Sequence, residues 1–392
     1  MKKLFFLMPF ALLAFASCSN DEVETKAVQK SADAVNFLPA MNNATRGTIY
    51  TDAGFSTDPA SFNVIAVGNF YTSDPSGTGN PTPSNQTVNS AVTYTTGAWT
   101  LGTPLWWGDG TSTAKFTAFA GAEFSAVSSG SLSFNAESTI ASQKDLVVAY
   151  NEGSRTDFSS GVPLHFRHAL SQIIVNASYA VDASQDITKF PDLTIKVKQI
   201  RFKNIYGTGN LTLPLASTAA GETYTPSWTT TGATTSYTSS VNEQELASAP
   251  KTLLAAADGA MLLVPQNVAA ATSLAAAPTS GAYLEVYADI DYKTAQSGKI
   301  NVYPTFSGTG DESAENKFAW IAVPVTIAWD GGYKYTYTLN FSNVACGKVS
   351  PNDTPTGSTA GDDVIPGVPY PVNFLVTVED TWQDGGTTTP SL

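Results

Sequence analysis

An all-β, antiparallel architecture is what the sequence predicts, and three observations predict it. Apolar residues alternate at period two in several stretches, Thr, Ser, Gly and Pro punctuate the chain, and helix signals are weak. The clearest stripe is Tyr333, Tyr335, Tyr337, Leu339 and Phe341, with Lys334, Thr336, Thr338, Asn340 and Ser342 on the opposite face. Alternation of this kind marks strands with one buried and one solvated face. Only Glu243–Ala257 has room for a short helix, and Pro250 interrupts it.

Taken in order, the chain opens with Lys2 and Lys3, an uncharged apolar run from Leu4 to Phe15, then Ala16, Ser17 and Cys18. This reads as a secretory signal over residues 1–17 whose cleavage site ends in cysteine, as in a bacterial lipoprotein. About 12 apolar residues are too few to span the ~30 Å hydrocarbon core of a membrane. Cys18 is therefore expected to take a lipid and to anchor the chain at the outer membrane. The acidic run Ser19–Glu24 resembles an export signal that carries some lipoproteins to the cell surface.

Residues 18–46 read as a leader that contains one strand-like segment, Val35-Asn36-Phe37-Leu38. Arg46, before Gly47, is the last basic residue ahead of a long interval; the next is Lys115, and upstream the mature chain has only Lys26 and Lys30. A trypsin-like protease would find Arg46 as the last basic site before the folded body. An ordinary linker arginine is the other reading of the residues.

Further strands are expected from Ile173, Val175, Ala177 and Tyr179, and from Leu284, Val286, Ala288, Ile290 and Tyr292. Between Ile195/Val197 and Ile200/Phe202 the apolar phase slips by one residue. A slip within one strand would expose half of its core face, so a bulge or a change of sheet is expected there. Three stretches read as long loops: Thr72–Ser90, Ala219–Ser240 and Asn343–Pro371. The third, rich in proline and glycine, is expected to be an extended tether. It precedes a final strand in which Val372, Phe374, Val376 and Val378 share one face.

Charge narrows the function. The 392 residues carry a net charge of −13 with only 20 Lys and Arg and no basic stripe, which argues against nucleic-acid binding. With Cys18 lipidated, Cys346 has no disulfide partner and reads as structural.

Catalytic constellations are scarce. His165 and His168 lie three apart, on opposite faces of a strand, so they cannot share a metal. His168 has the parity of Leu164, Phe166 and Leu170 and reads as a hydrogen-bonded core residue. No zinc spacing, phosphate loop or nucleophile elbow occurs. Glu285, Tyr287, Asp289 and Asp291 read as the solvated side of one strand. Asp311, Glu312 and Glu315 read as a solvated loop without calcium-site spacing. Of Trp106 and Trp107, at least one must face inward, although the pair could also stack on a sugar. No catalytic residue, metal or cofactor is expected.

Several segments together resemble the fimbrillin family, the lipoprotein-derived subunits of type V pili and their tip relatives in the Bacteroidota. They are Pro104–Trp107 followed by Lys115–Ala120, Gln143–Ala149, Val162–Leu170, Trp329 through the Tyr333–Tyr335 strand, and Pro371–Trp382. The resemblance implies two tandem transthyretin-like β-sandwiches, at 47–161 and 162–392. It also implies maturation by proteolysis between Arg46 and Gly47. The implied function is that of a surface pilus subunit that supports adhesion and polymerises with other pilin subunits. Assembly would use β-strand addition, with Val372, Phe374, Val376 and Val378 as the donor strand. A tip or anchor adhesin with a host ligand, and a surface glycan-binding lipoprotein, are the alternatives.

Overall fold

The computed structural model describes residues 34–41, 56–57, 59–76, 81–121, 124–128, 130–184, 192–214, 226–254, 261–293, 299–304, 318–352, 354–355, 357–365 and 372–379. Its strands, in chain order, are β1 (Phe37–Met41), β2 (Ser61–Tyr71), β3 (Ser84–Thr95), β4 (Ala98–Leu101), β5 (Trp106–Trp107) and β6 (Ala114–Gly121). Next come β7 (Phe124–Ser128), β8 (Ser131–Asn135), β9 (Leu146–Gly153), β10 (Val162–His168), β11 (Ser171–Tyr179) and β12 (Leu193–Thr212). There follow β13 (Ser227–Glu245), β14 (Lys251–Leu254), β15 (Met261–Leu263), β16 (Gln266–Val268), β17 (Tyr283–Lys293) and β18 (Lys299–Tyr303). The last are β19 (Ala319–Pro324), β20 (Ile327–Trp329), β21 (Lys334–Phe341), β22 (Lys348–Val349) and β23 (Asn373–Glu379). Among the described residues the only helical turn is Ile140–Ser142, so the fold is all-β, as the alternation predicts.

The first sheet runs β1-β10-β9-β6-β2-β3-β4, with β5 also on β2. The second runs β14-β11-β21-β23, and the third β22-β19-β17-β12-β8-β7 with β13 beside β12. Two large cores result. Phe62, Val64, Phe116, Ala118, Val147 and Phe166 belong to the smaller one. Ile65, Phe119, Leu146 and Val148 belong instead to the larger core, with the buried residues of β11, β12, β17 and β21. Strands β2, β6 and β9 thus send alternate side chains to the two cores, and this explains the nearly continuous apolar runs of β6 and β9. The layered, sandwich-like architecture follows from this arrangement.

Sheet membership does not change at Gly161. Strand β10 pairs with β9 and places Val162, Leu164 and Phe166 in the smaller core. The chain passes to the larger core at Ala169 and Leu170. In the other direction, β8 pairs with β12 in the third sheet.

The phase slip is a bulge: β12 shifts register between Val197 and Gln199 against both β13 and β17. Ile195, Val197, Ile200 and Phe202 consequently all stay buried. Three expectations fail. Ser84–Ser90, the end of the first anticipated loop, lies in β3 and pairs along β2. Ser227–Ser240, anticipated as loop, lies in β13 and pairs along β12, because its many threonines are β-branched and suit a strand. In the segment considered for a helix, Glu243–Glu245 lies in β13 and Lys251–Leu254 in β14.

A fourth correction concerns the anticipated tether, of which the described part docks on the body. Strand β22 pairs with β19, Val344, Cys346, Val349 and Val364 are buried, and Lys348 bonds Asp363 at 2.6 Å.

Candidate functional site

Residues Ala34–Met41, of which Phe37–Met41 form β1, are held on two sides. Strand β1 runs parallel to β10, with Phe37 opposite Val162 and Met41 opposite Phe166. The Val162 amide donates to the Asn36 carbonyl at 2.8 Å. On the other flank the Val35 amide donates to the Leu105 carbonyl at 2.8 Å, and Ala34 bridges Trp106.

Alternation decides what this strand buries. Val35, Phe37 and Met41 are buried, and Phe37 meets the rings of Phe62 and Phe116 edge-on at 5.9 and 5.7 Å. Phe62 in turn packs on Phe166 at 5.3 Å. Each large apolar side chain buried this way stabilises by roughly 1.5–3 kcal/mol. This segment also passes close to Gly161, where a Cβ would sit 3.1 Å from Leu38 Cγ and φ is +127°. The backbone conformation favours glycine, and the space leaves a Cβ little room. Without β1, β10 would present an unpaired edge above a floor of Phe62, Phe116 and Phe166, a surface prone to capture another strand.

At the other end of the chain, β23 is the outer strand of the second sheet. It pairs antiparallel with β21 from Asn373 opposite Asn340 to Glu379 opposite Lys334. Val372 is buried, and Val376 and Val378 pack half-buried against the larger core. Leu375, between them, is 62% exposed. The backbone of Phe374 pairs with Leu339. Within one chain, then, the anticipated donor strand rests on its own sheet. Cys18, Arg46, Gly47, Asp311, Glu312 and Glu315 lie outside the described residues.

The chemistry-bearing residues make structural contacts. His168 Nδ1 and Asp145 Oδ2 are 2.6 Å apart, with both side chains fully buried, and His165 lies on the opposite, half-buried parity of β10. Trp107 is buried against Phe70 and Phe116, whereas Trp106 is half-buried. Among the described residues, no group of three His, Cys, Asp or Glu could hold a metal.

Glu285 is the clearest correction. Expected on a solvated face, it is completely buried, paired with Arg201 Nε and hydrogen-bonded by the Ser350 hydroxyl. Asn352 Nδ2 donates to Glu285 Oε1 at 3.0 Å and to the Tyr283 hydroxyl at 2.8 Å. The Arg201 guanidinium lies 4.0 Å above the Trp320 ring, and Lys198 Nζ lies 4.2 Å above Phe318. Asp291 is buried too. The docked segment after β21 supplies Ser350 and Asn352, and so roofs this part of the face.

Cys346 is buried, its thiol donates to the Ser342 carbonyl at 3.0 Å, and burial pushes its pKa up. A thiol kept protonated and covered is a poor nucleophile. The folded protein is therefore expected to resist alkylation by iodoacetamide at pH 8, and the guanidinium-unfolded protein to react at Cys346. Mass spectrometry of the two samples checks this, and equal labelling would contradict the buried placement.

The model of the fimbrillin-like family matches residues 51–360. None of the curated proteins matches. Among solved structures, a fimbrial protein from Bacteroides vulgatus is 15% identical, with 79% of this chain and 95% of that one covered and a TM-score of 0.48. A candidate cell adhesion protein from Parabacteroides distasonis is 11% identical, with 91% and 99% covered and a TM-score of 0.43. A candidate cell adhesion protein from Bacteroides ovatus is 12% identical, with 80% and 94% covered and a TM-score of 0.40.

Proposed function

Since the chain belongs to the fimbrillin-like family, we propose that it is a structural subunit of a cell-surface pilus, assembled by strand addition and supporting adhesion. In this reading residues 1–17 are removed, Cys18 carries the lipid that holds the precursor at the outer membrane, and cleavage after Arg46 matures the subunit. The leader then leaves, and the Val372–Val378 segment of another subunit takes its groove. Such a contact is head-to-tail, repeats without closing and builds a filament.

The observation that carries the proposal is the two-sided seat of the leader strand over an aromatic floor. Arg46 follows the end of that strand by five positions. A cut there turns a covalently attached strand, held at high effective concentration, into a separate peptide that dilution removes. Until the cut, the leader covers an edge that would otherwise aggregate.

Limited trypsin digestion followed by electron microscopy tests this. The main product is expected to begin Gly47-Thr48-Ile49-Tyr50 and to form filaments that the uncut protein does not form. A dominant new terminus elsewhere, or cleavage after Arg46 with no filaments, would count against the proposal.

A further inference from the structure

The leader strand and the terminal strand carry the same tetrapeptide: Val35-Asn36-Phe37-Leu38 and Val372-Asn373-Phe374-Leu375. In the folded chain the two copies have unlike settings. The first runs parallel to β10, and the second runs antiparallel to β21. Their local surroundings therefore give no common reason for identical residues, whereas a common destination does.

The leader shows what that destination requires. Position 35 gives its amide to Leu105 and a buried valine to the core; position 36 gives its carbonyl to the Val162 amide. Position 37 inserts a ring between Phe62 and Phe116, and position 38 passes over Gly161. The terminal segment repeats all four residues in the same order. We propose that β23 is a register-matched copy of the leader, entering the groove of a second copy of this chain parallel to β10. Val372, Phe374 and Val378 then stand where Val35, Phe37 and Met41 stand now. This rests on the strand-addition reading above and adds direction and register to it.

The residues after the tetrapeptide explain why the exchange runs one way. The leader continues Pro39-Ala40-Met41 and the terminal strand Val376-Thr377-Val378. Proline has no amide hydrogen for a strand ladder, and alanine and methionine suit strands less well than valine and threonine. The leader fills the slot with a sequence poor in strand preference, and the incoming copy supplies an amide at position 376 and three β-branched residues.

Cross-linking reads the register. Full-length chains carrying His165→Cys and separate chains carrying Thr377→Cys are cleaved with trypsin, mixed and oxidised mildly. Cleavage after Arg46 removes Cys18 with the leader, and Cys346 is buried. Because the new cysteines sit on different chains, any cross-link between them joins two subunits. Ala40 now faces His165 and Pro39 faces Leu164, so Thr377 is expected to face His165 and to give a disulfide-linked dimer. Leu375→Cys or Glu379→Cys, each displaced by two residues, should lose that cross-link to position 165. Pro163→Cys with Leu375→Cys reports the same register should His165→Cys fail to fold. Cross-linking of 165 to 375 or 379 instead would overturn the register and leave strand addition standing. No cross-link at any of these pairs would overturn strand addition itself.

Discussion

Replacing Phe37 with alanine is expected to destabilise the uncleaved protein by about 3–5 kcal/mol, the range for truncating a buried phenylalanine. Phe37 is 3% exposed and meets two aromatic rings edge-on, so the cavity would open beneath the strand and not at the surface. The loss comes from removed contacts and from the void that rigid β2 and β6 cannot close. Urea denaturation of wild type and Phe37→Ala, each before and after trypsin cleavage and removal of the leader, separates two meanings of the result. If the leader is a temporary occupant, the difference between the variants vanishes once the leader is gone. A midpoint unchanged by the substitution in the uncleaved protein would show that the ring does not hold the strand.

Glu285→Ala is expected to cost about 3–5 kcal/mol, as when one partner of a buried ion pair is removed. The carboxylate is fully buried and joins Arg201 on β12, Ser350 and Asn352 after β22, and through Asn352 the Tyr283 hydroxyl. Its loss leaves the Arg201 charge uncompensated and cuts the bonds that fasten the docked segment to the sheet. The double variant Arg201→Met, Glu285→Met removes both charges and should recover much of the stability, since an apolar pair of similar volume is often neutral. Urea midpoints of the three proteins check the ranking, and hydrogen exchange across 343–365 shows where protection is lost. A midpoint for Glu285→Ala equal to wild type would refute the expectation.

The strands were legible where sequence and environment share a period. Tyr335, Tyr337, Leu339 and Phe341 alternate because one face of β21 meets the core. The slip after Val197 announced a bulge because only an extra residue keeps both apolar sets inside. His168 was readable from its parity with Leu164 and Phe166. In the candidate site, Val35 and Phe37 were legible as a strand segment. That the strand would seat on β10 was not, because its partner lies 125 residues along the chain, at Val162.

Glu285 shows the limit most plainly. Its polar parity on β17 reads as solvated, and only Ser350 and Asn352, distant in sequence, make that face an interior. Strand β13 is hidden for another reason: runs of threonine and serine suggest a loop by composition, whereas pairing with β12 exploits the branched carbons of the threonines. The place of β10 in the smaller core was hidden as well, since proximity to β11 in sequence says nothing about which sheet a strand joins.

Strands β6 and β9, which serve both cores, also bear on how such a chain can diversify. Neither half is a portable module. A recombination that exchanged one half would strip an apolar wall from the other, so a viable exchange would have to carry β6 and β9 whole. Changes would be tolerated best in connections between strands that touch neither core. New surface properties can then accumulate there while the interior remains common property.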